Sequence, residues 1–267
     1  MNRKTLIAQI AAKKTMLCVG LDSDLEKIPA HLKDRPNGLV EFNKKIIDAT
    51  LEHCVSYKLN TAFYEALGAR GWDALEETCE YIPDTHFKIA DAKRADIGNT
   101  SNYYAKAFFE RLKFDAVTVA PYMGEDSIRP FLEYENKWTI VLGLTSNAGA
   151  NDFEMQTLSS GEKLYERVLK TVSSWGNPNN LMFVIGATQA KELSNIRNII
   201  PDHFLLVPGL GAQGGSMEEV IKYGKNADGG LLINASRAII YAGNESDFDE
   251  KSKEVAKGYH EEMRGMI

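Results

Sequence analysis

Eight short apolar runs recur along the chain, and segments with helical spacing separate them. Their interiors, such as Leu-Cys-Val-Gly at 17–20 and Phe-Val-Ile-Gly at 183–186, are close to continuously apolar. Strands that are covered on both faces have this pattern, which is typical of parallel sheets. The runs predict strands at residues 16–22, 56–63, 86–93, 116–121, 138–146, 181–188, 203–211 and 229–237.

The segments between these runs contain apolar residues at the spacing of one helix face. This spacing predicts helices over residues 39–55, 100–113 and 164–175, and an amphipathic helix rather than a signal peptide at the amino terminus. Ser127 and Ser216 each precede an apolar residue at the start of a further helical segment, so we expect them to be N-caps.

A strand–helix unit repeated about eight times in some 250 residues has the size of an α/β protein of the (β/α)₈ TIM-barrel type. A doubly wound open sheet is the competing architecture. Nothing in the sequence is typical of an interdomain linker, and the most polar stretch, 147–161, is short. We therefore expect a single domain over residues 1–267, with an elaborated loop around 147–161.

The charge balance and the cysteines restrict the partners and the location of the protein. With 31 Lys and Arg against 37 Asp and Glu, the net charge is −6, which is unfavourable for general nucleic-acid binding. No apolar run approaches the roughly 18 residues of a membrane span. The odd number of cysteines, Cys18, Cys54 and Cys79, without CxxC spacing, predicts reduced, mostly buried thiols in a cytoplasmic protein.

The densest cluster of chemically active residues is the segment 89–100, Ile-Ala-Asp-Ala-Lys-Arg-Ala-Asp-Ile-Gly-Asn-Thr. Asp91 and Lys93 are two apart on a predicted strand and project to the same side, and Asp96 follows in the loop. Barrel enzymes keep their catalytic groups at this end of the strands. A lysine between two carboxylates favours its ammonium form, which suits a general acid better than a Schiff-base nucleophile. The alternative is a surface ion-pair cluster in a turn.

Two further charged residues lie on or after predicted strands. Lys58 stands in an otherwise apolar run, so it needs an anionic partner if it points inward, and Asp91 is a suitable one. An outward-pointing lysine is the alternative. Asp22 ends the first run and suits ribose hydroxyls, although a cap or turn role is equally compatible with its position.

The glycine-rich segment 207–216 follows a predicted strand and precedes a helix. Gly209, Gly211 and Gly214 satisfy the GxGxxG pattern, but no acidic residue ends the next strand, as a dinucleotide site would require. The same glycines suit the phosphate site of a barrel, which is built from the loops after strands seven and eight. Arg237, at the end of the last strand, supplies a cation for this site.

Other catalytic patterns are missing from the sequence. The histidines form no HxH or HExxH pair, so we expect no preformed zinc site. There is also no GxSxG elbow and no Walker A motif.

Taken together, several ordered motifs resemble one enzyme family. The segment 91–100 resembles the D-x-K-x-x-D-I-x-N-T signature of the orotidine 5′-phosphate decarboxylases. The resemblance extends over nearly the whole chain, and the length and the long loop after Ser146 are similar to the larger bacterial branch. It also includes Val-Gly-Leu-Asp at 19–22, Lys58 with Ala-Phe-Tyr-Glu at 62–65, Leu-Thr-Ser-Asn at 144–147, Pro-Gly-Leu-Gly-Ala-Gln-Gly-Gly at 208–215, and Ser-Arg at 236–237.

The resemblance implies a dimer of (β/α)₈ barrels that converts orotidine 5′-monophosphate to UMP and CO₂ without cofactor or metal. Lys93 would donate a proton to C6, and Lys58, Asp91 and Asp96 would complete an alternating charge network. Asp96 and Thr100 would reach into the site of the neighbouring subunit. The substrate would be bound by Asp22 at the ribose, Ser146 at the pyrimidine, and by the phosphate-site residues Pro208, Gln213, Gly214, Ser236 and Arg237.

Two other functions stay open at this point. A metal-dependent 3-keto sugar phosphate decarboxylase, such as the 3-keto-gulonate 6-phosphate enzyme, shares the D-x-K-x-x-D pattern. A non-catalytic nucleotide-phosphate binder would need no complete charge network. One departure from the branch is Ala95 in place of the usual Gly, and its methyl group could shift the loop that carries Asp96.

Overall fold

The computed structural model describes residues 1–210 and 215–267, in which eight parallel strands close into a barrel in sequence order. The pairing of β1 with β8 completes the closure. The predicted (β/α)₈ fold is therefore confirmed, and the open sheet is wrong. The strands are β1 (Leu17–Gly20), β2 (Ser56–Asn60), β3 (Phe87–Arg94), β4 (Ala116–Val119), β5 (Trp138–Leu144), β6 (Leu181–Ile185), β7 (Phe204–Pro208) and β8 (Leu231–Ala235).

Helices connect successive strands, and the predicted ones are present with shorter carboxyl ends. In the described residues the helices are α1 (Arg3–Lys13), α2 (Ala30–Lys33), α3 (Gly38–Thr50), α4 (Thr61–Glu65), α5 (Ala69–Tyr81), α6 (Gly98–Lys106), α7 (Glu125–Leu132), α8 (Leu164–Ser173), α9 (Leu193–Ile199), α10 (Met217–Gly224), α11 (Arg237–Ile240) and α12 (Phe248–Arg264). A π-helical turn, Ala107–Arg111, continues α6.

Serine capping was predicted correctly at one helix and wrongly at another. The Ser216 side chain accepts a hydrogen bond from the Glu219 N–H and caps α10, as expected. Ser127 instead lies inside α7, which begins at Glu125. The positive φ of Gly124 (93°) turns the chain into the helix earlier, and the Ser127 hydroxyl donates to the Gly124 carbonyl within the first turn.

The strands are apolar because the barrel buries both of their faces. Every residue of β1, β4, β6 and β8 is buried. At the amino end of the barrel, Trp138 contacts Phe87 and Phe204 edge-to-face, with ring centroids 6.0 and 6.1 Å apart. These three residues are the first residues of the alternate strands β3, β5 and β7, so their rings meet in the barrel interior and fill it at this end.

The amino-terminal helix closes this end of the barrel. Leu6 and Ile10 of α1 are buried, as an amphipathic helix requires. The Arg3 guanidinium lies 5.2 Å from the Phe204 ring centre and donates to the Asp202 carbonyl and the Asp228 carboxylate, both at 2.7 Å. Helix α1 therefore covers the amino end of the barrel.

The predicted state of the cysteines is confirmed. Cys18, Cys54 and Cys79 are all buried free thiols. Burial raises the pKa of the Cys18 thiol to about 12, so it is unreactive as a thiolate near neutral pH. Separately, no helix among the described residues is both long and apolar enough to cross a membrane.

Candidate active site

A cavity of about 270 Å³ opens at the carboxyl ends of the strands. The register aligns Gly20 with Lys58 and Asn60 with Asp91, which brings the polar ends of β1, β2 and β3 to one level. Seven of the predicted site residues line this cavity, namely Asp22, Lys58, Asp91, Lys93, Pro208, Ser236 and Arg237.

Lys58 points inward and is paired, as predicted. Its side chain is only 4% exposed, and its Nζ lies 2.9 Å from Asp91 Oδ2 and 3.0 Å from Asp22 Oδ1. Burial alone would lower the pKa of Lys58, but the two carboxylates hold it above its usual range. Lys58 is thus a fixed ammonium that joins the ends of β1, β2 and β3.

Asp91 is the centre of the charge network. Its Oδ1 accepts from Lys93 Nζ at 2.6 Å and from the Thr118 hydroxyl at 3.0 Å, while Oδ2 accepts from Lys58. Burial opposes ionisation, yet Lys58 and Lys93 hold the pKa of this carboxyl well below its usual range. Asp91 therefore stays a carboxylate at physiological pH.

Lys93 differs from Lys58 in its access to the cavity. Its side chain is 50% exposed, although its ammonium contacts the same Asp91 carboxylate. A group with this access can reach a ligand, whereas Lys58 is enclosed by protein. The two lysines therefore suit different tasks, one holding the carboxylate and the other acting on a bound molecule.

Arg94, the next residue along β3, points away from the cavity. Its guanidinium pairs with Glu65 and lies 5.4 Å from the ring centres of Tyr104 and Phe108. These contacts tie the end of β3 to the helices around it. Among the charged residues of β3 at this end, Asp91 and Lys93 face the cavity and Arg94 anchors the strand.

The opposite side of the cavity is formed by the ends of β7 and β8. Pro208, Ser236 and Arg237 lie here, and the Ser236 hydroxyl donates to the Gly20 carbonyl at 3.0 Å. Gly209 adopts a φ of 102°, a conformation that favours glycine. The predicted phosphate ligands Gln213 and Gly214, together with Gly211, lie outside the described residues.

Three predicted residues do not contribute to the cavity lining formed by the described part of this single chain. Asp96 is half-buried in the loop after β3, and its Oδ1 accepts from the Ile97 N–H at 2.8 Å. Thr100 is exposed on α6. Ser146 follows β5 and closely approaches Gly186, where an added Cβ would lie 2.7 Å from the Ser146 Cβ.

Several lining or supporting residues were missed from the sequence. Asn60 and Asn234 both line the cavity, two residues after Lys58 and two before Ser236. Residues two apart on a strand project to the same side, and this spacing, which related Lys93 to Asp91, could also have identified the two asparagines. Tyr241 holds the loop of Asp22, because its hydroxyl donates to the Asp22 carbonyl and accepts from the Asp24 N–H. No sequence signal pointed to Tyr241.

The described residues contain no group of three or more His, Cys, Asp or Glu side chains arranged to hold a metal ion. Asp22 and Asp91, two carboxylates that line the cavity, both pair with Lys58. A cation already occupies the position between these two acids.

The fold and this site define a class of protein: a (β/α)₈-barrel enzyme with a lysine–carboxylate network at the carboxyl ends of strands β1 to β3 and an arginine after β8. Comparison with known proteins identifies the family. Residues 15–248 match the model of the orotidine 5′-phosphate decarboxylase / HUMPS family, and the chain belongs to this family.

The relatives match over nearly their whole length. The chain is 58% identical over 271 residues to the orotidine 5′-phosphate decarboxylase of Flavobacterium johnsoniae, covering 100% of this chain and 98% of that one. It is 53% identical to that of Bacteroides fragilis over 266 residues, covering 98% and 97%. The structure of Leishmania donovani OMP decarboxylase superposes with a TM-score of 0.84 at 34% identity, covering all of both chains.

Proposed function

We propose that the protein converts orotidine 5′-monophosphate to UMP and CO₂, the last step of de novo pyrimidine nucleotide synthesis. It would thus be a carboxy-lyase, like the relatives named orotidine 5′-phosphate decarboxylase. The observation that carries the proposal is the Lys58–Asp91–Lys93 network, in which one enclosed ammonium holds a carboxylate and a second ammonium is open to the cavity.

This network suits the chemistry of the reaction. Loss of CO₂ from C6 leaves a vinyl carbanion that no carbonyl group delocalises, so a fixed cation has to stabilise it. The Lys93 ammonium can supply this charge and then donate a proton to C6. Because Asp91 is held ionised by two lysines, the cation keeps its position without having to reorganise during the reaction.

The remaining predicted residues would bind the parts of the substrate that do not react. We assign the ribose to Asp22, the pyrimidine to Ser146, and the phosphate to Pro208, Gln213, Gly214, Ser236 and Arg237. Arg237 is placed to support this, because it lines the cavity on the side formed by β7 and β8. Binding energy from the phosphate can close loops over the site and thereby lower the barrier.

The proposed enzyme is a homodimer in which Asp96 and Thr100 enter the partner's site. An exposed apolar surface beside them supports this arrangement: it comprises Ile97, Tyr103, Tyr122 and Met123, with Tyr122 92% exposed. The two parts of this surface belong together, because α6 packs against α7 through a 2.7 Å hydrogen bond from Ser101 to the Ser127 carbonyl. Exposed apolar patches of this kind are typical of interfaces.

Mixing two inactive variants tests the shared site. If Asp96 acts on the partner's substrate, then combining Lys93→Ala with Asp96→Ala protein should restore part of the activity in heterodimers. Mixing Lys93→Ala with Lys58→Ala is the matched control. Both residues belong to the network of a single chain, so each site of this heterodimer lacks one lysine and no recovery is expected. No recovery in the first mixture, with subunit exchange demonstrated, would place Asp96 in the site of its own subunit.

We further propose that the reaction needs neither metal nor cofactor and takes place in the cytoplasm, for which the three buried free thiols are suited. The test is the absorbance change on adding orotidine 5′-monophosphate to protein in EDTA. Turnover that persists supports the proposal, and turnover that depends on added divalent metal would contradict its metal-free part. The 3-keto sugar phosphate decarboxylase alternative predicts no turnover of this substrate. Binding of UMP without any turnover would indicate a non-catalytic binder.

A further inference from the structure

Strand β3 contains a β-bulge at Asp91, where its regular pairing with β4 is interrupted. The register joins Ala90 to Val117 and Arg94 to Val119, so three residues of β3 stand opposite the single residue Thr118 of β4. Bulges near active sites re-aim side chains and leave main-chain groups without their usual partners. The bulge contains both Asp91 and Lys93, the two charged residues of β3 that face the cavity.

The Thr118 side chain fills the gap that the bulge opens. Its hydroxyl is fully buried, donates to Asp91 Oδ1 at 3.0 Å and accepts from the Lys93 N–H at 2.9 Å. A hydroxyl group has one proton and two lone pairs, so its only proton is committed to Asp91. A single threonine thus fixes both the carboxylate and the main chain of the lysine beside it.

The main chain of Lys93 needs this support. Its φ of 47° is in the left-handed region, which is unfavourable for a residue with a side chain. The half-exposed Lys93 side chain starts from this backbone, whereas Lys58 is enclosed on a regularly paired part of β2. The position of the Lys93 ammonium therefore depends on the hydrogen bond that its N–H makes.

We infer that Thr118 is a positioning residue for the proposed decarboxylation, an inference that rests on the proposed function. Thr118 is not among the described residues that line the cavity, so it acts through Asp91 and Lys93 rather than on the substrate. Its loss should slow the chemical step and leave nucleotide binding through the β7 and β8 side of the cavity unchanged.

The test compares Thr118→Val, which keeps the shape and removes the hydroxyl, with Thr118→Ser, which keeps the hydroxyl. Thr139→Val is the matched control, because Thr139 lies on the adjacent β5, is equally buried, and its hydroxyl has no hydrogen-bond partner among the described residues. We expect Thr118→Val to lower kcat about 10- to 100-fold with the KM for orotidine 5′-monophosphate and the Kd for UMP within about threefold of wild type. Thr118→Ser should restore most of kcat, and Thr139→Val should keep it.

Three outcomes would overturn the inference. They are an unchanged kcat in Thr118→Val, a parallel rise of KM and UMP Kd that matches the fall in kcat, and an equal loss of kcat in Thr139→Val. Should Thr118→Val not fold, Thr118→Ala takes its place in the same comparison.

A crystal structure of Thr118→Val tests the inference separately from the proposed function. It should show the 2.6 Å contact between Lys93 Nζ and Asp91 Oδ1 lost or the Lys93 backbone altered. An unchanged geometry would overturn the role of Thr118 even if the wild-type protein proved to catalyse another reaction. An altered geometry in a protein that does not decarboxylate orotidine 5′-monophosphate would instead refute the proposed function alone.

Discussion

The two ends of the barrel use buried charge in opposite ways. At the carboxyl end, the Lys58 and Lys93 ammonium groups both contact the Asp91 carboxylate beside an open cavity. At the amino end, Arg3 pairs with Asp228 but also contacts a main-chain carbonyl and an aromatic ring, and Arg197 contacts only main-chain carbonyls among the described residues. The Arg197 guanidinium there donates to four carbonyls, those of Ile200, His203, Gly224 and Gly230.

The difference shows what each end contributes. Burial of a charge is unfavourable unless it is paired or hydrogen-bonded, and both ends meet this condition. At the amino end the Arg197 guanidinium makes four hydrogen bonds to main-chain carbonyls, and these bonds hold loops together. At the carboxyl end, the half-exposed Lys93 keeps access to a ligand. Substitutions should therefore change stability at the amino end and turnover at the carboxyl end.

The largest expected effect is the loss of turnover in Lys93→Ala. Removing both the stabilising cation and the proton donor should lower kcat by at least about 10³-fold. UMP binding and the thermal unfolding midpoint should change little, because the side chain is half exposed. The measurement is the decarboxylation rate together with a UMP titration.

Lys113→Ala is the control for Lys93→Ala. Lys113 is exposed and also has a left-handed backbone, with a φ of 58°, so both variants carry the same change at a similar conformation. Full activity is expected in Lys113→Ala. Substantial turnover in Lys93→Ala would refute the assigned role of Lys93 and remove the functional difference between the two ends.

The next largest effect is expected at the amino end, in Arg197→Met. This change keeps much of the side-chain stem but leaves several carbonyls without their donor, so the free energy of unfolding should fall by about 3 kcal/mol. Burial lowers the pKa of Arg197 to about 10, which still leaves it charged at neutral pH. Urea unfolding measures the loss, and kcat at a temperature where the variant is folded should equal that of the wild type. An Arg197→Met variant with normal stability and poor turnover would contradict the assignment of stability to the amino end and turnover to the carboxyl end.

A third effect separates binding from chemistry within the carboxyl end. Arg237→Ala should raise the KM for orotidine 5′-monophosphate about 10- to 100-fold, since an arginine–phosphate contact is a charge-assisted hydrogen bond. The matched substrate is orotidine, which has no phosphate and should be turned over equally by both proteins. An unchanged KM for the nucleotide would contradict the assignment of phosphate to Arg237.

The smallest effect concerns acid stability at the amino end. Burial, with Arg3 and Arg197 nearby, lowers the pKa of His203 to about 4 from its ordinary value of 6.5. The unfolded chain then takes up a proton first, so stability is full above about pH 6.5 and falls as the pH drops towards 4. His203→Phe, which keeps a ring against Phe183, should reduce this loss by roughly 1–2 kcal/mol at pH 5.

The control for His203→Phe is the same change at the exposed His31. Urea unfolding at pH 7 and pH 5 should give a smaller difference for His203→Phe than for wild type or His31→Phe. His86, whose pKa burial and Lys13 also lower to about 4, would retain its share of the pH dependence in all three proteins. Equal pH dependence in all three would show that His203 is not protonated on unfolding in this range.

Much of the fold could be predicted from the sequence because burial on both faces leaves a clear apolar pattern. The eight runs that predict strands correspond to β1–β8, although several predicted ends extend beyond the strands into the loops. The prediction that Ser127 is an N-cap was wrong because the backbone geometry at Gly124, rather than the Ser127 hydroxyl, determines where α7 begins. Helix ends depend on such local geometry, which a pattern of apolar residues does not contain.

The site was predictable where charge interrupts an apolar strand. Lys58 is conspicuous for this reason, and its pairing with Asp91 is confirmed at 2.9 Å. Thr118 was missed because a threonine between two valines is ordinary strand composition, and its partners become apparent only through the bulge in β3. The roles of Asp96, Thr100 and Ser146 stay predictions, since one chain does not bring them into the cavity lining.

The most direct test of the whole account is a crystal structure of the protein with UMP bound. We expect the pyrimidine C6 to lie roughly 3–3.5 Å from Lys93 Nζ and the phosphate to contact Arg237. A nucleotide bound in this cavity with C6 turned away from Lys93, or bound elsewhere on the barrel, would contradict it.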